Sequence, residues 1–258
     1  MKIGANYLGK GQCEFCVWAP HISDMAVKIC TPDVRILPMI KVARGYWHLL
    51  VEEIAPGTDY FYQLDNHIER PDPAASYQPQ GVHGPSRVID QSVFEWSDQN
   101  WRGQPQEHLI IYEIHVGTFT PEGTFAAVIP RIAELKDLGV TAIELMPVAQ
   151  FPGERNWGYD GVNPFAVQNS YGGVQGLKEL VDACHNQGLS VILDVVYNHL
   201  GPEGNYLNDF GPYFTDRYTT PWGDAVNFDG SGADEVRNYF FENALYWLRH
   251  FHVDALRL

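Results

Sequence analysis

Two charged side chains stand inside apolar stretches of this chain. Asp194 lies in "SVILDVVYN", and Arg257 lies in the final "VDALRL". A charge in an apolar strand is costly to bury unless an opposite charge or hydrogen-bond donors meet it. If the two stretches are neighbouring strands of one sheet, we expect Asp194 and Arg257 to meet. They would then form either a structural ion pair or part of an active site.

Two loops close to these stretches carry further candidates. His199 begins the loop after "SVILDVVYN", and "NWGYDG" (156–161) places Tyr159 and Asp160 between two glycines. An aromatic ring held in such a loop can serve as a sugar platform, because aromatic faces pack against apolar surfaces. A turn with a packed tyrosine would show the same pattern, so the loop alone leaves both interpretations open.

Other polar residues suit structural roles. His115 lies in a predicted strand and His185 on a predicted helix without a second ligand at i+4, so we expect neither to bind a metal. Cys13 and Cys16 form a CxxC, a spacing that also occurs at zinc and redox sites. Residues three apart in a strand face opposite sides, and no second pair follows. We therefore predict buried free thiols, no metal and no cofactor.

The elements that must position these residues differ between the two parts of the chain. Residues 1–95 contain short alternating runs such as "CEFCVWAP", "MAVKICT" and "DYFYQLD", separated by Pro and Gly turns. That spacing is typical of an antiparallel sandwich. The sequence predicts an N-terminal all-β, Ig-like sandwich over 1–95 and a linker over 96–108, around "SDQNWRGQPQEH".

From Leu109 onward, apolar strands alternate with helical repeats. "LIIYEIHV", "VTAIELMPV", "SVILDVVYN" and "VDALRL" are the strands; Pro130 predicts a kink or early break in the first helix, and Gly188 ends the second. Such alternation indicates a parallel sheet. Residues 109–258 are predicted to form the first half of a (β/α)8 TIM barrel, whose active site is built from the loops after the strands.

Charge and hydropathy narrow the class of partner. The formal net charge of −15 disfavours nucleic acid and anionic membrane surfaces, and it favours a neutral or cationic partner. The first residues lack the apolar segment of a signal peptide, and no apolar run has the length of a membrane span. We expect a cytoplasmic protein with no nucleic-acid and no membrane partner.

Two motifs together resemble a known family. "DVVYNH" followed by "VDALRL" resembles the first two signature regions of the α-amylase-type glycoside hydrolases. "FCVWAPHISDMAVKI" resembles the carbohydrate-module domain that precedes the barrel in glucan branching and debranching enzymes. The resemblance implies a sandwich domain of carbohydrate-module type followed by a catalytic barrel.

The resemblance also implies a role for each candidate residue. Tyr159 would stack under the sugar at the cleaved bond, and His199 would hydrogen-bond its primary hydroxyl region. Asp194 would hold Arg257, which would orient the nucleophile. Further substrate-contacting residues implied by the resemblance are Trp157, Asp160 and Leu258. Strand parity, however, predicts that the last of these side chains turns away from the barrel lumen.

Longer stretches narrow the implied substrate. "YEIHVGTFTPEGTF" and "GPEGNYLNDFGPYFT" resemble the members of the family that act on maltooligosyltrehalose. The implied reaction is retaining hydrolysis of the α-1,4 bond next to the terminal trehalose. The implied partner is a maltooligosaccharide or maltooligosyltrehalose. Three alternatives stay open, namely a truncated 1,4-α-glucan branching enzyme, a non-catalytic α-glucan-binding module and an inert product of a degraded gene.

The chain ends at a position that matters in this family. There the nucleophilic Asp follows "RL" directly and the acid Glu comes later, whereas Leu258 is the last residue here. Glu113 and Glu144 lie in early strands but lack a signature context. We therefore expect that none of the catalytic residues is present, that the chain as given is inactive, and that its first and fourth barrel strands form aggregation-prone edges.

Overall fold

The computed structural model describes residues 2–258, and the first ninety of them form two antiparallel sheets. Their strands are β1 (Gly4–Gly9), β2 (Gln12–Trp18), β3 (Ala26–Ile29), β4 (Arg35–Pro38), β5 (Ile40–Lys41), β6 (Tyr46–Val51), β7 (Asp59–Leu64), β8 (Ile68–Arg70) and β9 (Ser86–Arg87). One sheet has the order β1-β2-β6-β5. The other has the order β4-β3-β7-β8, with β9 also paired to β7. The predicted all-β sandwich is confirmed.

The stretch "CEFCVWAP" forms β2, which is buried on both of its sides. Phe15 faces the second sheet and packs edge-to-face on Tyr60 of β7, with ring centroids 5.0 Å apart. Trp18 faces the other way and packs on Tyr213 of the following domain, with centroids 5.1 Å apart. The sandwich core therefore continues into the second part of the chain.

The second part alternates strands and helices. In chain order its elements are β10 (Ile111–Ile114), α1 (Val116–Phe119), α2 (Phe125–Val128), α3 (Ile132–Asp137), β11 (Ala142–Leu145), β12 (Ala149–Gln150), β13 (Asn163–Val167), α4 (Gly173–Gln187), β14 (Ser190–Asp194), α5 (Leu207–Phe210), β15 (Phe214–Thr220), β16 (Gly223–Val226), α6 (Ala233–Phe251) and β17 (Ala255–Arg257). Strands β10, β11, β14 and β17 form one parallel sheet in that order. The predicted first part of a (β/α) barrel is confirmed.

The helices follow the sequence pattern closely. Helix α4 ends at Gly188, which adopts the left-handed conformation at φ 81° that glycine tolerates without strain. The segment around Pro130 is broken, because a 3-10 turn at Ile129–Arg131 separates α2 from α3. Two antiparallel hairpins, β12–β13 and β15–β16, lie in the loops after β11 and β14, and the strand pattern did not predict them.

The final strand differs from the prediction of a buried strand over Val253 to Leu258. Strand β17 is only three residues long, and its Ala255 and Arg257 are exposed. Among residues 2–258 it pairs with β14 alone. Strand β10 at the opposite edge likewise exposes Ile111 and Tyr112.

Among the helices of residues 2–258, none combines the length and the apolar character that crossing a bilayer would require.

Candidate active site

A cavity of about 670 Å³ opens at the carboxyl ends of β14 and β17. This is the end of a (β/α) barrel where active sites are built. The residues that line it include Tyr159, Asp194, His199, Trp222, Arg257 and Leu258. Four of the predicted site residues and the predicted partner of Arg257 are therefore brought together here, and Trp222 is an addition that the motifs did not predict.

The ion pair between Asp194 and Arg257 is built by strand register. The two residues are direct partners in the parallel pairing of β14 with β17. An Nη1 of Arg257 donates to Oδ2 of Asp194, and its Nε lies 3.5 Å from Oε1 of Glu144 on β11. The Arg257 side chain is 51% exposed whereas that of Asp194 is buried. The expected pairing is present, but with an arginine that still reaches solvent.

Three carboxylates converge around this arginine. Oxygens of Glu113, Glu144 and Asp194 all lie within 4.8 Å of one another. The pKa of Glu144 is raised, chiefly by burial. The positive charge of Arg257 lowers this pKa, and the negative charges of Glu113 and Asp194 raise it. The two glutamates lie outside the sequence motifs of the family. Parity on neighbouring strands is the signal that could have found them, because residues that are register partners in a parallel sheet, as Glu113 and Glu144 are, face the same side.

Tyr159 is held by a loop whose geometry requires glycine. Its hydroxyl donates to Oδ2 of Asp194 at 2.9 Å, and burial together with this bond raises the pKa of the phenol. Gly158 has φ +96°, and a Cβ there would lie 2.2 Å from the carbonyl oxygen of Pro147. Oδ1 of Asn156 accepts the Gly158 N–H at 2.7 Å and closes the turn. The loop thus presses against the end of β11 and aims the ring at the cavity.

His199 is fixed by contacts on three sides. Its Nε2 lies 2.8 Å from the carbonyl oxygen of Tyr159, and its Nδ1 lies 2.9 Å from Oδ1 of Asn198. The indole of Trp222 stacks on the imidazole, with centroids 4.2 Å apart and an interplanar angle of 12°. Both ring nitrogens therefore have protein partners, so a sugar hydroxyl must replace one of them to bind.

Trp222 was missed because its position depends on a hairpin. It stands at the turn between β15 and β16, within "TTPWGDAV", and is 55% exposed. The hairpin places the indole on the imidazole of His199, and Trp222 also lines the cavity. An aromatic residue in a Pro-Trp-Gly turn was the available signal.

Trp157 and Asp160 were expected in the same cleft and lie beside it. They line a neighbouring cavity of about 720 Å³, which shares Tyr159 with the first. Asp160 accepts from Nδ2 of Asn156 at 2.7 Å, so its carboxylate stabilises the loop. His115 contacts the same loop, with Nε2 2.7 Å from the Asn156 carbonyl oxygen.

The expectation for Leu258 needs correction. Parity predicted that its side chain turns away from the lumen, yet the residue lines the cavity and is 89% exposed. Strand β17 ends at Arg257, so the alternation of a pleated strand no longer applies one residue later.

Cys13 and Cys16 lie in the core of the sandwich. Cys13 and Cys16 are both buried, and burial raises the pKa of each thiol to about 12. Such thiols are inert because the thiolate is the reactive form.

Two family models match the chain. The model of the alpha amylase catalytic domain matches residues 86–221, just over half of the chain, and that of carbohydrate-binding module 48, the isoamylase N-terminal domain, matches residues 2–77.

Curated relatives match nearly the whole chain but are much longer. A malto-oligosyltrehalose trehalohydrolase of Saccharolobus solfataricus is 52% identical over 95% of this chain and 43% of its own length. One of Arthrobacter ramosus is 46% identical over the same shares. The 1,4-alpha-glucan branching enzyme GlgB of Geobacillus stearothermophilus is 33% identical, over 95% of this chain and 42% of its own length. The chain thus spans less than half the length of these relatives.

Solved structures agree on the fold. A Salmonella typhimurium protein described as an alpha amylase has a TM-score of 0.93 and 42% identity, over 99% of this chain and 43% of its own. A pullulanase from Anoxybacillus, solved with maltotetraose, has a TM-score of 0.86 and 27% identity, over 99% of this chain and 44% of its own.

Proposed function

Because the chain belongs to the alpha-amylase family, we propose that its protein hydrolyses maltooligosyltrehalose at the α-1,4 bond next to the terminal trehalose and releases trehalose. The observation that carries this proposal is the 52% identity with a trehalohydrolase over 95% of the chain, against 33% with a branching enzyme over the same share. The proposal concerns the whole protein, since the chain spans only 43% of that relative.

The cavity at β14 and β17 supports a sugar site. The ring of Tyr159 offers an apolar platform, and its hydroxyl is tied to Asp194. Trp222 adds a second ring across the cavity, already stacked on His199. Rings fixed in this way suit the apolar faces of glucose units, while the polar groups between them suit its hydroxyls.

Arg257 is proposed to orient a carboxylate at the reacting centre. Retaining glycosidases use two carboxyl groups about 5–5.5 Å apart, one as nucleophile and one as acid and base. Within residues 2–258, Arg257 contacts Asp194 and Glu144 at once, so both of these carboxylates are committed to holding the guanidinium. Half of the arginine side chain stays exposed and is available to a further acidic group or to substrate. The inactivity expected for a chain that stops at Leu258 stays a prediction.

A chimera tests the proposal. This chain replaces the matching segment of the Saccharolobus solfataricus trehalohydrolase, and trehalose release from maltooligosyltrehalose is measured. We expect release by the chimera and loss of release in its Arg257→Ala variant. A folded chimera that forms α-1,6 branches from a maltooligosaccharide, or that releases no trehalose, would contradict the proposal.

A second candidate function follows from the match to carbohydrate-binding module 48 over residues 2–77. In that case the chain binds α-glucans without turnover. Calorimetry with maltotriose separates the two sites, because Tyr159→Ala abolishes binding only if the barrel cavity holds the sugar. Binding that survives this substitution would place the sugar on the sandwich.

A further inference from the structure

The linker between the two domains is held along helix α4 by hydrogen bonds. Its Ser97 donates from both backbone N and Oγ to the carboxylate of Asp182 on α4, at 2.8 and 2.6 Å. Further along, Gln104 donates to the carbonyl oxygen of Gly188 at 2.8 Å, just past the end of the helix. Between these two points the linker contacts His185, whose side chain has no exposed surface.

His185 lies between two carboxylates. Its Nδ1 is 2.8 Å from Oδ2 of Asp98 in the linker, and its Nε2 is 3.0 Å from Oδ2 of Asp254, just before β17. An ionised carboxylate only accepts hydrogen bonds, so each ring nitrogen must carry a proton. The geometry therefore requires an imidazolium, buried and paired on both sides. The indole of Trp101 stacks on it at 4.8 Å between centroids, which further favours the cation.

Asp254 connects this cation to the start of β17. Its Oδ2 also accepts the backbone N–H of Val191 at 2.7 Å, and its own N–H donates to the Val191 carbonyl at 2.9 Å. Oδ1 accepts from Nε1 of Trp101 at 2.7 Å. The pairing of β17 with β14 begins at the next residue and reaches Arg257 opposite Asp194. Ala255 and Leu256 separate Asp254 from Arg257, which lies about 10 Å further along the strand.

We propose that the imidazolium of His185 is a positioning group, which fixes the linker and the residue before β17, Asp254, and thereby sets Arg257 against Asp194. The geometric claim stands on this chain alone; its importance for turnover rests on the proposed function. We call Asp98, His185 and Asp254 the clamp. The clamp lies at the amino ends of the strands, opposite the cavity, and none of its three residues lines that cavity.

Protonation controls the clamp. Burial lowers the pKa of His185, but the hydrogen bonds to Asp254 and Asp98 raise it more, so the net shift is upward. Burial raises the pKa of Asp98, and its bonds to His252 and His185 outweigh this and lower it. A raised histidine pKa stabilises the fold fully below about 6.5, and this stability is lost as the pH rises through the folded value. A lowered aspartate pKa gives stability that is lost only in acid.

The groups that face or flank His185 come from four parts of the fold. They are Asp98 and Trp101 of the linker, His252 and Asp254 before β17, Cys184, Asp182 and Lys178 of α4, and the backbone of Val191 in β14. The pKa of the Cys184 thiol is raised by burial, and Lys178 donates to the carbonyl oxygen of Gln91.

Nuclear magnetic resonance of the wild-type chain tests the charge directly. We expect both ring nitrogens of His185 to be protonated at about pH 7, with a titration midpoint above about 6.5. We also expect the guanidinium signals of Arg257 to show slow rotation below that midpoint and faster rotation above it. A merely structural histidine would leave the Arg257 signals unchanged across its titration.

Variants give the matched comparison. The unfolding temperature of the wild type should fall as the pH rises, by roughly 3–5 °C for each unit by which the pKa of His185 is shifted. The unfolding temperature of His185→Gln should not show this fall. Arg257 rotation should be fast at every pH in this variant. His48→Gln is the control, since His48 pairs with Glu14 on the sandwich surface and should leave both behaviours intact.

Each outcome decides the matter. If His185→Gln does not fold, the wild-type titration alone answers the question. A midpoint of His185 at or below about 6.5, or Arg257 signals that ignore it, overturns the proposal. Because none of these measurements uses sugar or turnover, they are independent of the proposed reaction.

Discussion

Replacing Gly158 by alanine tests whether the 156–161 loop places Tyr159 in the cavity. Gly158 has φ +96°, and an added Cβ would lie 2.2 Å from the carbonyl oxygen of Pro147. The left-handed conformation costs an alanine about 1–2 kcal/mol. Relieving the overlap by moving backbone adds about 1–3 kcal/mol. We expect a loss of about 2–5 kcal/mol in the free energy of unfolding, and a displaced Tyr159 that weakens maltotriose binding at least tenfold, to be measured by urea denaturation and calorimetry.

Gly153 provides the matched control in the same connection. It also has a left-handed backbone, at φ +70°, but a Cβ there meets no atom within 4 Å. Gly153→Ala should therefore lose only the conformational part, about 1–2 kcal/mol, and should keep its affinity for maltotriose. Equal stability losses in the two variants, or unchanged binding in Gly158→Ala, would refute the argument that contact with Pro147 aims the tyrosine.

Three further predictions concern other parts of the molecule. Burial raises the pKa of Asp72 from 3.8 to about 6. As the pH rises from 3.8 to about 6, the free energy of unfolding of the wild type should therefore fall by about 3 kcal/mol relative to that of Asp72→Asn. The same dependence of the free energy of unfolding on pH in both proteins would contradict this prediction. Trp222→Ala should weaken maltotriose binding roughly fivefold, about 1 kcal/mol, whereas Trp222→Phe should retain most of the affinity; equal loss in both would exclude stacking. In the chimera, Arg257→Lys should reduce trehalose release about 100-fold without unfolding the protein, because lysine lacks the planar fork that spans Asp194 and Glu144; unchanged release would show that this fork is not needed.

Much of the fold is determined locally and could be predicted from the sequence. Gly188 ends α4 because glycine adopts the left-handed conformation without strain, and Pro130 breaks the preceding helical segment because it has no amide hydrogen to donate. The pairing of Asp194 with Arg257 was also predictable. Opposite charges in two apolar strands of one parallel sheet have few other partners, and strand register then places them side by side.

The rest depended on tertiary structure, because it joins residues that no local pattern relates. Glu113 and Glu144 reach Asp194 only when three strands pair in register. His185 becomes an imidazolium only because the linker supplies one carboxylate and the residue before β17 supplies the other, 87 and 69 positions away along the chain. Periodicity reports which side of an element faces the core. Packing between distant segments decides which charges lie opposite each other, and it therefore also decides the electrostatics of this site.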